Sequence, residues 1–117
     1  MSETKLPDRD TKPETEATPL TFLNPCGRET YEVGSNVAIC WTGGPPLPQH
    51  VNISLVDHQL NAVVQVVATN HKTYEPVGVV QWVIPVDFSI NHTHDYLFYI
   101  EDAPRTTWTY GPGFKIT

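Results

Sequence analysis

The stretch Asn36-Val-Ala-Ile-Cys-Trp-Thr-Gly-Gly44 decides the fold. Val37, Ile39 and Trp41 alternate with Ala38, Cys40 and Thr42, the period of two that a β-strand shows when one face is buried. The alternation points Trp41 into a core and sets Cys40 on the opposite face. Gly43-Gly44-Pro45-Pro46 then stops the strand, because glycine opens turn geometry and proline has no amide to give to a ladder. This reads as an inner strand of a β-sandwich.

Segments on either side repeat the pattern. Leu20–Leu23 starts the folded part and stops at Asn24-Pro25. Tyr31 and Val33 dip inward between turns at Gly27 and Gly34-Ser35. A third strand covers His50–Val56, with Val51, Ile53 and Leu55 on one face. Asp57–Asn61 is a polar hairpin loop, Ala62–Thr69 a valine-rich strand and Asn70–Gly78 another loop. Val79–Ile84 turns Val80, Trp82 and Ile84 inward. Asp95–Glu101 places Tyr96, Phe98 and Ile100 on one face and Leu97, Tyr99 and Glu101 on the other. Thr106–Tyr110 and Phe114–Thr117 form the last strand region, interrupted at Gly111-Pro112-Gly113 by an expected bulge or corner. About seven strands separated by turns imply an all-β, antiparallel sandwich of immunoglobulin or fibronectin-III type over residues 20–117. Residues 1–19 are polar and cannot bury enough apolar area to offset the entropy of ordering. They are expected to be a disordered tail or linker, dispensable for folding.

Composition excludes several classes. The formal net charge of the 117 residues is −6, and Lys and Arg form no run. A nucleic-acid binder or a site for anionic lipid needs clustered positive charge. No apolar run reaches 18 residues, so this segment inserts into no membrane. Nucleophile elbows, phosphate-cradling glycine loops and His-Glu-x-x-His are missing. The carboxylates Asp57, Glu75, Asp87, Asp95, Glu101 and Asp102 fall in or near turns, as solvated acids do, and no pair stands at a defined catalytic separation. No catalytic residue and no cofactor is assigned. His92 and His94 beside Asp95 have the look of a small metal cluster but lack a third ligand at a telling spacing, so no metal is assigned.

Four further features are singled out. Cys26 and Cys40 are the only cysteines. Two readings stand for them: a bridge between the first and second strand regions, contributing about 3 kcal/mol for a closed loop of roughly 15 residues, or two unpaired thiols. Asn52-Ile-Ser54 and Asn91-His-Thr93 fit the N-glycosylation acceptor pattern. Asn52 alternates onto the outward face and Asn91 falls in a loop. Trp41 and Trp82 read as core tryptophans packed between sheets. Trp108 shares a face with Tyr110, and Tyr99 and Leu97 lie on the outward face of the preceding strand. These four residues are either a stacking platform or filling at the sandwich end.

The order of motifs resembles a known family. Leu23-Asn-Pro25, Tyr31-Glu-Val-Gly-Ser35, Trp41-Thr-Gly-Gly44 and Val51-Asn-Ile-Ser-Leu55 are followed by Trp82-Val-Ile-Pro85, Tyr96-Leu-Phe-Tyr-Ile100 and Gly111-Pro-Gly-Phe-Lys-Ile116. From about residue 20 onward this is similar to the domain shared by fungal Ser/Thr-rich GPI-anchored surface proteins and killer-toxin-resistance cell-wall synthesis proteins. The resemblance implies an extracellular, non-catalytic immunoglobulin-like module, in a family partly linked to assembly of β-1,6-glucan. It implies placement outside the cell or in the wall, with the native leader taken to lie outside these residues. A cell-wall glycan or a surface protein is the expected partner. The alternative is a protein-interaction module of the same fold in a receptor or adaptor.

Overall fold

The computed structural model describes residue 6, residues 18–103, residue 105 and residues 107–117. Among them are nine strands: β1 (Thr18–Asn24), β2 (Thr30–Tyr31), β3 (Asn36–Gly44), β4 (Gln49–Asp57), β5 (Ala62–Thr73), β6 (Val77–Val83), β7 (Tyr96–Asp102), β8 (Trp108–Tyr110) and β9 (Lys115–Ile116). Sheets β1-β3-β6 and β5-β4-β7-β8 enclose the core, and β2 pairs with β9 alongside. This is an immunoglobulin/fibronectin-III β-sandwich.

Nine strands stand where about seven were expected because the first and last strand regions are each broken. Pro25 and Gly27 separate β1 from β2. Gly111-Pro112-Gly113 separates β8, which pairs with β7, from β9, which pairs with β2. The β2–β9 pairing is parallel, Thr30 facing Lys115 and Tyr31 facing Ile116, so the sandwich is not wholly antiparallel. The expected loop at 70–78 is also shorter, since β5 runs on to Thr73. Its last residues give β4 a ladder partner, with Val51 opposite His71 and Gln49 opposite Thr73. A register shift lies between Val51 and Ile53, and the Asn52 side chain accepts the Asn70 amide there at 2.7 Å.

Inward facing follows the alternation. Val37, Ile39, Trp41, Val51, Ile53, Leu55, Ile84, Tyr96, Phe98 and Ile100 are all buried in one cluster. Trp82 packs against that cluster, edge-on to Phe98 at 5.8 Å between centroids, while keeping some exposure. Trp41 lies opposite Gly78 in the β3–β6 ladder, and a Cβ at Gly78 would collide with the indole. Gly43 is needed for a different reason: its φ is +87°, and a side chain there would strike the Pro19 carbonyl of β1.

The turns are locked by buried polar groups. Gln49 Nε2 donates to the carbonyls of Gly43 and Pro45 at 3.1 and 2.8 Å, closing the β3–β4 connection. The Tyr96 hydroxyl accepts the Asn91 amide at 3.0 Å. Such a bond from the start of β7 back to the preceding loop is the tyrosine corner of this fold. Asp57, 3% exposed, accepts the Gln59 and Leu60 amides through Oδ1, each at 3.0 Å, and meets His94 Nδ1 through Oδ2 at 2.7 Å. Burial by itself raises the Asp57 pKa. The His94 contact and the two amides outweigh it and hold the carboxyl below its ordinary value.

Two outcomes are expected. Tyr96→Phe removes the partner of the Asn91 amide and should cost about 0.5–1.5 kcal/mol in urea unfolding, the net range for one hydrogen bond whose donor water can reach. Asp57→Asn should destabilise the domain at pH 7. Because the folded pKa lies below the unfolded one, the contribution is present above the unfolded carboxylate value of about 4 and is lost as pH falls through the folded value. Unfolding midpoints of wild type and Asp57→Asn should therefore converge in acid, and a gap that stays constant down to low pH would contradict the role of the charge.

Candidate binding face

The outward side of β5-β4-β7-β8 carries a second apolar cluster. Val56 on β4 stands opposite Leu97 on β7, and Ser54 opposite Tyr99. Tyr99 in turn faces Tyr110 on β8, and Glu101 faces Trp108. The Tyr99 and Tyr110 rings lie 4.9 Å apart at 47°. All four residues singled out in the sequence, Trp108, Tyr110, Tyr99 and Leu97, are thus brought onto one face. They are not equally accessible. Leu97 is 4% and Tyr99 2% exposed, so these two are floor rather than platform, whereas Trp108 and Tyr110 are half-buried rims.

The outer side of an antiparallel sheet commonly faces water, so burial of Leu97 and Tyr99 needs a cover. Trp108 and Tyr110 supply part of it. Leu6 supplies another part, packing against the same cluster. The expectation of a disordered residue 1–19 tail otherwise falls outside the described residues, except at Thr18 and Pro19, where β1 has already begun. At one end of the face Glu101 pairs with Arg105, Oε1 to Nε at 3.9 Å. Burial pushes the Tyr99 phenol well above its usual range, and the Glu101 charge adds to the shift. Tyr99 therefore stays neutral, and the centre of the face is uncharged.

The other singled-out residues lie elsewhere. Cys26 and Cys40 are free thiols rather than the bridged pair of one reading. Cys26 follows Asn24, the ladder partner of Cys40, by two residues. Its Sγ is nevertheless turned to Glu29, donating to Oε2 at 3.3 Å, and that bond and the Glu29 charge raise the thiol pKa. Asn91 is exposed, its Oδ1 accepting the Thr93 hydroxyl at 2.6 Å and the Thr93 amide at 3.0 Å. Asn52 is half-buried opposite Glu101, occupied with the Asn70 amide. His94 is spent on Asp57, and no group of three or more His, Cys, Asp or Glu side chains able to hold a metal occurs among the described residues. Among them, too, no helix is long and apolar enough to cross a membrane.

Sequence reasoning missed two contributors. Val56 stood only as the last residue of the third strand, and Leu6 was assigned to a tail. A lone leucine in a polar segment has no periodicity to announce it.

No protein-family model matches the chain, and no curated protein matches it. Among solved structures, the fibronectin(III)-like modules of Clostridium thermocellum CbhA are similar at 11% sequence identity and a TM-score of 0.44. The match covers 83% of this chain and 93% of that one.

Proposed function

We propose that the chain is a non-catalytic extracellular module that attaches to cell-wall glycan, β-glucan in the first instance, through the outer face of β4, β7 and β8. One observation carries this reading: Trp108, Tyr110 and Tyr99 are gathered on one face of the sheet outside the central core, where the charge of Glu101 is paired with Arg105. Neutral sugar rings present apolar faces and hydroxyls but no charge, and aromatic rings with polar tips suit both. The resemblance to fungal wall proteins supports the same ligand class and a place outside the cell. The exposed Asn91-His-Thr93 triplet suits a glycan in that compartment. Affinity of one module would be weak, with avidity from many copies making up for it.

A second reading, a protein partner for the same face, is favoured by Leu6. The cluster already receives an aliphatic side chain from a polar segment, which is how a peptide would engage it.

Trp108→Ala decides between them. The domain should stay folded by circular dichroism, because Trp108 lies outside the central core. On the glycan reading the variant loses retention on insoluble β-glucan by at least tenfold. No retention of the wild type would end that reading and leave the protein partner in place.

A further inference from the structure

Part of the cover on the outer face comes from the chain itself, through Leu6. β1 runs beside β8: the Phe22 ring lies against Gly111, immediately after Tyr110. Leu6 is reached twelve residues before Thr18, a span of up to roughly 40 Å when extended, and the molecule measures 38 × 29 × 27 Å. The segment is long enough to cross the β8 edge. Between Met1 and Ala17, Leu6 is the only branched aliphatic residue. It packs against the cluster of Val56, Leu97 and Tyr99, the same cluster that Trp108 and Tyr110 pack against.

We infer that Leu6 is the resident occupant of this face, and that any other ligand must displace it to reach Leu97 and Tyr99. The inference rests on the reading of this face as the binding surface only for its consequence, competition with a ligand. The contact itself is independent of what that ligand is. A single leucine side chain is a small anchor, and an occupant held by one such residue exchanges readily. Buried Leu97 and Tyr99 are then the seat of an intrachain contact rather than part of the permanent core. The proline after Leu6 favours an extended backbone at that position, which suits a side chain laid across strands.

The test uses the full chain. Leu6→Asp places a charge where the apolar cluster is, and Leu6→Met preserves the apolar contact. The three indole signals in a nitrogen-15 correlation spectrum report on Trp41, Trp82 and Trp108 separately. In Leu6→Asp the Trp108 signal should move while those of Trp41 and Trp82 stay, and binding of a hydrophobic dye should rise severalfold. Leu6→Met should resemble the wild type. A synthetic peptide of residues 1–17 added to Leu6→Asp should return the Trp108 signal toward its wild-type position, and the same peptide carrying Asp at position 6 should not. An unmoved Trp108 signal in Leu6→Asp overturns the inference. Retention on insoluble β-glucan measured on the same samples separates the two proposals. If retention rises several-fold in Leu6→Asp, the occupant competes with glycan. If Trp108 moves but neither protein is retained, the occupant stands and the glycan reading falls.

Discussion

Every residue of β7, from Tyr96 to Asp102, is buried. A strand in an antiparallel sandwich normally has one dry face and one wet one, so burial on both faces demands two covers. The inner cover is the β1-β3-β6 sheet, brought against Tyr96, Phe98 and Ile100. The outer cover is assembled from neighbours on the same sheet, Val56, Trp108 and Tyr110, and from Leu6. Core and candidate site are therefore two sides of one strand.

That sharing makes register decisive. A slip of one residue along β7 would exchange its two faces, sending Leu97 and Tyr99 inward and Phe98 out. Hydrogen bonds fix the strand at both ends. The Tyr96 hydroxyl holds the Asn91 amide at the entry. At the exit the Asp102 amide donates to the Thr107 carbonyl, and the Thr107 amide donates to Asp102 Oδ1 at 2.8 Å. Which residues β7 turns outward is thus set by turn chemistry at its two ends.

The acids of the turns serve the same end. Asp57, Glu101 and Asp102 are buried, contrary to the expectation that turn carboxylates are solvated. Each has a partner for its charge or its oxygens: His94 and two amides for Asp57, Arg105 for Glu101, the Thr107 amide for Asp102. Burial of a carboxylate is tolerable only with such partners. In this chain Asp57 and Asp102 close turns, and Glu101 sits at the end of the aromatic face with its charge paired to Arg105.

By itself the sequence determined the fold class, the inward set and the sharing of one face by Trp108, Tyr110, Tyr99 and Leu97. Period-two alternation is a local property, and a strand's two faces can be read from a few consecutive residues. Tertiary structure decided what covers each face. The parallel β2–β9 pairing, the extension of β5 to Thr73, the Asp57–His94 contact and the packing of Leu6 all join residues far apart in the chain. Nothing within any one of those segments encodes its distant partner. Outward facing was legible because it depends on neighbours in sequence, while accessibility was not, because it depends on neighbours in space.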